Sequence, residues 1–257
     1  MVILEICVDS LASAKAAIDG GADRLEVCSA LDVGGLTPTA GLLKCIKNYC
    51  QQKEKCVSIF AMIRVRSGDF EYNQDEIIQM KEEMAWMKSS QLVNGFVFGL
   101  LANKNGLLDI DEPNCSQLIN FAKPFPVTFH RAFDLCTNPL EACSKLIKLG
   151  FDRILTSGQA KTVLAGLEVI QECVKRCGSK IKIMPGSGVN IENIERIVTL
   201  GQVCEVHLSA SKECISPTAA ISDRIFDQGI SKWRVTDSQI VKQMIEILNY
   251  TRQQDRS

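Results

Sequence analysis

The 257-residue chain has little histidine, few aromatic side chains and no excess of charge of one sign. Its two histidines, His130 and His207, are too few for a zinc site built from three histidines. The formal net charge of -1 gives no overall field that would attract nucleic acid or an anionic membrane, so we expect neither as a partner. The sequence also contains neither a P-loop nor the G-x-S-x-G motif of serine hydrolases.

Long apolar runs are absent too. No stretch of about 20 apolar residues could cross a bilayer, and the opening MVILEICVDS lacks the basic start of a signal peptide. We therefore expect a cytoplasmic protein, and a nuclear location is also compatible with the sequence. The 12 cysteines are scattered through a chain long enough to fold without disulfides, so we expect reduced thiols.

Short β-branched runs alternate along the chain with helical patterns, which is typical of βαβ units and a parallel sheet. Eight such runs occur, and eight strands in about 250 residues are the composition of a (β/α)8 barrel. We predict a single α/β TIM-barrel domain over residues 1–257, with its core at 3–209. The predicted strands are 3–8, 24–28, 56–63, 94–99, 126–131, 152–157, 180–185 and 204–209. Helices are predicted between them, one of them over 161–176.

Two segments follow the barrel core. Residues 210–234 show no clear periodicity and are long for a connection. They follow the last strand and should lie over the barrel mouth, as a lid, an oligomer contact or a plain surface loop. Residues 237–252 carry apolar side chains at helical spacing and are predicted to form a C-terminal closing helix.

Charged side chains interrupt the predicted strands, although strands of a parallel barrel should be almost continuously apolar. Burying a charge costs several kcal/mol unless it is paired, so we interpret these residues as one network. The C-terminal ends of the strands, where TIM-barrel active sites lie, are the place for it. A network that only stabilises the barrel interior is the alternative. The residues are Glu5, Glu26, Arg64, His130, Arg131 and Glu205.

Small and basic residues at strand ends favour an anion site. Gly186, Ser187 and Gly188 follow the seventh strand, where backbone N–H groups bind phosphate in many barrels. Arg66 and Ser209 add donors after the third and eighth strands. An enzyme acting on a small phosphorylated or carboxylated metabolite by acid–base chemistry is therefore one hypothesis. Its catalytic residues would be Glu26, Arg64, His130 and Asp134.

A pair of cysteines favours a different function. Cys7 and Cys28 end adjacent predicted strands about 4.8 Å apart, so their sulfurs could meet over the barrel. Two thiolates suit Cu(I), which prefers sulfur and accepts two ligands, whereas Zn²⁺ requires four. Two buried and unreactive cysteines are the alternative.

Motifs at the strand ends resemble the CutC family of copper homeostasis proteins. The resemblance implies a cytoplasmic TIM barrel, a homo-oligomer (dimer or tetramer) and Cu(I) binding, with Cys7 and Cys28 matching cysteines proposed for copper in eukaryotic members. Val65 departs from the family, which usually has proline there. Leu208 stands where some relatives have a further cysteine. The motifs are LEICVDS (4–10), DRLEVC (23–28), GGLTP (34–38), MIRVRSGDF (62–70), TFHRAFD (128–134), RILTSG (153–158), MPGSGVN (184–190) and EVHLSA (205–210).

Overall fold

A computed structural model describes residues 2–218 and 232–254 of the chain, with side chains as far as Thr251. The strands are β1 (Ile3–Val8), β2 (Arg24–Val27), β3 (Ser58–Met62), β4 (Gly95–Phe98), β5 (Leu101–Lys104), β6 (Leu107–Ile110), β7 (Val127–Phe129), β8 (Arg153–Thr156), β9 (Lys182–Pro185), β10 (Glu205–Leu208), β11 (Ser211–Ile215) and β12 (Lys232–Thr236). The α-helices are α1 (Leu11–Gly20), α2 (Ala40–Gln52), α3 (Gln74–Ser90), α4 (Glu112–Ala122), α5 (Pro139–Leu149), α6 (Leu167–Cys177), α7 (Ile194–Gly201) and α8 (Ser238–Gln254).

Eight parallel strands form one sheet in the order β10-β1-β2-β3-β4-β7-β8-β9. The two ends of this order lie against each other, so the sheet curves into a nearly closed barrel. Helices follow the strands around its outside, and α8 packs on α1 and α7. The predicted TIM barrel with a C-terminal closing helix is confirmed.

Alternation along β1 shows how the sequence divides the barrel into two layers. Leu4, Ile6 and Val8 point outward and are fully buried beneath the helices in the main apolar core. Glu5 and Cys7 alternate with them and point into the barrel. A smaller apolar cluster fills part of the interior, formed by Cys28, Phe60, Met62 and Val97. The remaining interior positions are largely polar, and these build the candidate site.

Hydroxyl side chains cap the starts of the first two helices. Ser10 and Thr39 accept hydrogen bonds from backbone N–H groups in the first turns of α1 and α2. The helix predicted over 161–176 instead begins at Leu167. Gly158 and Gly166 bring two backbone segments together there, so residues 158–166 form a loop that leaves no room for a Cβ at either glycine.

Two pairs of strands outside the barrel were not predicted. β5 and β6 form an antiparallel hairpin around Asn105 and Gly106, which both have positive φ. Asn-Gly with apolar residues on both sides is a strong hairpin signal. The hairpin was missed because this segment was interpreted as part of the alternation of helices and strands. Within the expected mouth segment 210–234, β11 pairs with β12. Residues 219–231 lie outside the described residues. In the described part of the chain, no helix is long and apolar enough to cross a membrane.

Candidate functional site

A buried network of charges lies inside the barrel, below its mouth. Arg24 contacts the carboxylates of Glu5 and Glu205 with different nitrogens. Arg153 donates to Glu205 at 3.0 Å, from Nε to Oε2. The register explains the grouping, because Glu5 faces Arg24 on one side of β1. Of the residues predicted for an interior network, Glu5 and Glu205 lie in this one, together with Arg24 and Arg153, which were not expected in it. Arg64, His130 and Arg131 were also predicted for it, but each of them contacts other groups.

His207 extends this network towards the mouth. Its Nδ1 lies 2.7 Å from Glu5 Oε1, and the register places the two residues side by side on β10 and β1. Because Nδ1 is taken by Glu5, Nε2 is the free nitrogen of the ring. This Nε2 lies 3.8 Å from Glu26 Oε2.

Cys7, Glu26 and His207 together form what we call the mouth cluster. Their ligand atoms, one from each side chain, all lie within 4.8 Å of one another. It is the one group of three or more histidine, cysteine or acidic residues with this spacing in residues 2–218 and 232–254. Glu26 and His207 are buried, and Cys7 is partly exposed.

Burial and nearby charges shift the pKa values of the cluster in opposite directions. Burial raises the pKa of Glu26 to about 7, although the His207 charge lowers it in part. Burial alone would also raise the pKa of Glu5, but the Arg24 charge and the His207 hydrogen bond lower it to about 2. Burial alone would lower the pKa of His207, but Cys7 and Glu26 raise it well above its ordinary value. Near neutral pH, Glu26 is therefore the group that changes its charge.

Cys28 lies beside the mouth cluster. Its Sγ is 3.6 Å from Glu26 Oε2, so Glu26 links it to Cys7 and His207. The thiol is fully buried, and burial followed by the Glu26 charge raises its pKa well above the ordinary value. Glu26 Oε1 is buried and has no hydrogen-bond partner within the described residues. An acceptor of this kind is open to an incoming ligand.

A cavity of about 670 Å³ opens above the mouth cluster. Cys7 and Ser209 line it from the barrel, and Ser10 and Ser13 line it from the start of α1. The β11–β12 ribbon supplies another wall, with Arg234 among its lining residues. Ser209 Oγ hydrogen-bonds Ser211 Oγ at 2.9 Å. Cys7 and Ser209 are thus the two predicted site residues that reach this cavity.

Arg64 and His130, predicted as catalytic, are buried just after β3 and β7. Arg64 donates to the carbonyl oxygens of Val33, Gly35 and Gly68 at 2.8–3.1 Å. These hydrogen bonds link the loop after β2 to the loop after β3. Burial and then the Arg64 charge lower the pKa of His130 to about 3, so its ring is neutral.

The His130 ring has one nitrogen in use. Nδ1 accepts a hydrogen bond from the Ala132 N–H at 3.2 Å. Nε2 must therefore carry the proton of the neutral ring. It is buried without a partner in the described part of the chain. His130 is an available hydrogen-bond donor in the barrel.

Asp134 and Arg66 bind neighbouring protein groups. Asp134 accepts hydrogen bonds from the Ser157 N–H at 3.1 Å and the Gln159 N–H at 3.2 Å, and it pairs with Arg131. It thereby shapes the loop after β8. Arg66 pairs with Glu76 at the start of α3 and with Asp69 at 2.9 Å. Their assignment to catalysis and anion binding stays a prediction.

The Gly186–Gly188 turn packs close to the cluster without lining the cavity above it, as far as the described residues show. A Cβ at Gly186 would lie 2.6 Å from Leu155 Cδ1, so a larger residue would displace that side chain, while the His207 ring would be at a contact distance of 3.4 Å. Ser187 has a φ of 80° and donates through Oγ to Lys161 O at 2.9 Å. Anion binding here also stays a prediction.

Sequence reasoning did not select His207 as a site residue. His207 lies two residues after Glu205 on the same strand and therefore on the same face, inside the barrel. This spacing was the signal that could have identified it as a site residue. What could not be read from spacing was the pairing of β10 with β1, which brings His207 beside Glu5 and Cys7.

Known proteins similar to this chain share its fold and most of its length. A copper homeostasis protein cutC homolog of Dictyostelium discoideum is 43% identical over 229 residues, covering 80% of this chain and 81% of that protein. The homolog of that name from Homo sapiens is 41% identical over 208 residues, covering 81% and 73%. The crystal structure of the copper homeostasis protein CutC from Streptococcus agalactiae has a TM-score of 0.73 and 31% identity, covering 81% and 99%.

More distant structures agree in fold alone. Thiamine phosphate pyrophosphorylase from Pyrococcus furiosus has a TM-score of 0.57 at 12% identity.

Residues 2–212 match the CutC family, and this range includes every strand of the barrel and the whole mouth cluster. Together with relatives above 40% identity, this match confirms the resemblance found at the strand ends. The chain belongs to the CutC family.

Proposed function

We propose that the protein binds Cu(I) at the mouth of its barrel, with the Cys7 thiolate as the principal ligand, and serves copper homeostasis. The observation that carries this proposal is the mouth cluster, whose sulfur, nitrogen and oxygen donors lie within 4.8 Å of one another. Copper is the cargo of the site in this proposal.

The donor set suits Cu(I) better than other common metal ions. Cu(I) prefers thiolate and imidazole ligands, and it accepts two or three of them. Cys7 and His207 supply one of each, while Cys28, beside Glu26, is the second sulfur of the predicted thiol pair. Zn²⁺ would require a fourth ligand beyond the mouth cluster, and the buried Cys28 thiol, whose pKa is raised well above its ordinary value, resists becoming a thiolate. Mg²⁺ would prefer an all-oxygen site.

The partial exposure of Cys7 supports access to the site. Cys7 lines the cavity, whereas Cys28, Glu26 and His207 lie behind it and are buried. An ion entering through the cavity therefore meets Cys7 first. His207 must release its proton before Nε2 can bind the metal, so binding should release protons.

An anaerobic Cu(I) titration in competition with a chromogenic chelator tests the proposal. The test variant is Cys7→Ser/Cys28→Ser, and the matched control is Cys45→Ser/Cys204→Ser, which removes two exposed thiols instead. We expect the test variant to lose at least about 100-fold in affinity, since even outer-shell changes cost up to that much. The control should match the wild type. Equal affinity of the test variant and the wild type would refute the proposal.

Acid–base catalysis on a small anionic metabolite is the second candidate, favoured by the Glu26 carboxyl. Its pKa of about 7 and its unpartnered Oε1 suit a group that exchanges protons with a ligand. Thermal unfolding of the wild type and Glu26→Gln should be measured with a set of phosphorylated and carboxylated metabolites. A compound that stabilises only the wild type supports this candidate, and no stabilisation by any compound rejects it.

A cytoplasmic or nuclear location and a dimeric or tetrameric state belong to the same proposal. All 12 cysteines are free thiols in the structure, which suits a reducing compartment. Sedimentation velocity with and without one equivalent of Cu(I) should give the mass of a dimer or a tetramer. A monomer in both conditions would contradict the proposed assembly.

A further inference from the structure

Three side chains on β1 and β10 are ordered as a nucleophile, a base and an orienting carboxylate. The Cys7 sulfur lies within 4.8 Å of the ligand nitrogen of His207. On the other side of the ring, Nδ1 is 2.7 Å from Glu5 Oε1. This order, with the carboxylate holding the ring so that the other nitrogen serves the nucleophile, is the arrangement of nucleophilic acyl transfer.

Glu5 is fixed in a way that suits an orienting role. Its carboxylate is fully buried and is shared between two partners, Arg24 at Oε2 and His207 at Oε1. Arg24 holds the carboxylate in place, so the ring can adopt only one orientation with Nδ1–H directed at Glu5.

Cys7 differs from the other barrel cysteine in its access to solvent. It is partly exposed and lines the cavity, whereas Cys28 is buried in the apolar cluster inside the barrel. A nucleophile must reach its substrate, and Cys7 is placed to do so.

The start of α1 provides positive partial charge beside the thiol. Ser10 and Ser13, the cap and first turn of α1, line the same cavity as Cys7. The first turn contains no acidic residue that would cancel the charge of the helix end. N–H groups at such an end stabilise the oxyanion that develops in acyl transfer.

We propose that Cys7, His207 and Glu5 form a catalytic centre for acyl transfer from a small ester or thioester bound in the cavity. Cys7 Sγ forms a bond to the carbonyl carbon, and the bond from that carbon to the leaving oxygen or sulfur breaks. Cys7 attacks as the thiolate of a thiolate–imidazolium pair, and His207 Nε2 donates the proton of that pair to the leaving group. Water then attacks the acyl-cysteine, the S–C bond breaks, and a proton returns to Sγ.

The cavity indicates the class of substrate. Its volume of about 670 Å³ is that of a small-molecule site. Asp9 and Asp32 line it together with Lys232 and Arg234, so both signs of charge are present. A polar acyl compound that carries an amino or a carboxylate group fits this lining better than a fatty acyl chain.

The proposal uses the same sulfur as the copper site but does not depend on metal binding. Cu(I) and an acyl group cannot occupy Sγ together, so copper is expected to inhibit the reaction. The ester assay on metal-free protein separates the two proposals, because it measures the reaction of Cys7 with no copper present.

The test uses metal-free protein and p-nitrophenyl acetate, a small activated ester. Release of p-nitrophenolate is followed by absorbance, and the acetylated cysteine is located by peptide mass spectrometry. We expect acetylation of Cys7 at least about tenfold faster than of Cys204, an exposed thiol of the same chain that serves as internal control. His207→Asn should slow Cys7 acetylation about 100-fold and leave Cys204 unchanged.

Further variants keep the test decisive. Cys45→Ser removes an exposed thiol that does not line the cavity and should react like the wild type. If His207→Asn does not fold, Glu5→Gln replaces it, and its acetylation rate at Cys7 should fall while the rate at Cys204 stays unchanged. Acetylation of Cys7 no faster than of Cys204 would overturn the proposal, as would equal rates in wild type and His207→Asn. Neither result tests Cu(I) binding, which the anaerobic Cu(I) titration measures separately.

Discussion

Arg24 holds two buried carboxylates, and replacing it with methionine should destabilise the protein strongly. Its guanidinium contacts Glu5 and Glu205, and the paired side chains are 0–7% exposed. Arg24→Met keeps the length of the side chain and leaves both acids with fewer partners in a buried place. Removing one partner of a buried ion pair costs about 3–5 kcal/mol.

The loss of stability is reduced because each carboxylate keeps one other partner. Glu205 keeps Arg153, and Glu5 keeps His207. We therefore expect about 3 kcal/mol, the lower end of the range. For a chain of this size, that corresponds to a fall in Tm of about 6–12 °C.

Urea unfolding at pH 7 measures the effect, with Arg176→Met as matched control. Arg176 pairs with Glu172 on the surface of α6 at 2.8 Å, with side chains 65% and 41% exposed. Such a pair contributes less than about 0.5 kcal/mol. If Arg24→Met lost no more stability than Arg176→Met, the interior network would not stabilise the barrel as argued.

Three further predictions concern pH and the loops. Burial, followed by Arg64, lowers the pKa of His130 from 6.5 to about 3, so the neutral ring contributes stability that is lost as pH falls from about 6.5 towards 3. Urea midpoints should show this loss, and His130→Asn, which keeps an acceptor for Ala132, should reduce it between pH 6.5 and 5. Because the pKa of His207 is raised and its proton must leave before metal binds, Cu(I) affinity should increase with pH in competition titrations between pH 6 and 8, and a flat profile would contradict ligation by His207. Gly158→Ala places a Cβ against the Gly166 backbone at a φ of 71°, so it should lower the free energy of unfolding by about 1–3 kcal/mol, whereas Gly41→Ala, whose Cβ meets open space, should not lower it.

The barrel could be predicted from sequence because its signals are local. Apolar β-branched runs such as that of β1 recur eight times, and caps such as Ser10 mark where helices begin. Each predicted strand contains an observed one, with ends that differ by up to two residues. The β11–β12 ribbon was not predicted because β11 (Ser211–Ile215) shows no apolar alternation, and the alternation of Trp233 and Val235 in β12 covers only five residues.

The site could be predicted in part. Spacing of two along a strand placed Glu5, Cys7 and Glu26 inside the barrel before the structure was known. The partner of each side chain depends on the register between strands, which pairs Glu5 with His207 from the far end of the chain. Arg24 lies at the start of β2 and was assigned to no network, because its contact with Glu205 reaches past β1 to β10 and depends on the register of all three strands.

The proposed copper site has a direct spectroscopic test. X-ray absorption at the copper K-edge, on protein loaded anaerobically with one equivalent of Cu(I), reports the atoms bound to the metal. The account predicts sulfur ligation together with an imidazole nitrogen, and loss of the nitrogen signal in His207→Asn. A spectrum with sulfur ligands alone that is unchanged in both Cys7→Ser and His207→Asn would contradict it, because copper would then be bound by thiols outside the barrel mouth.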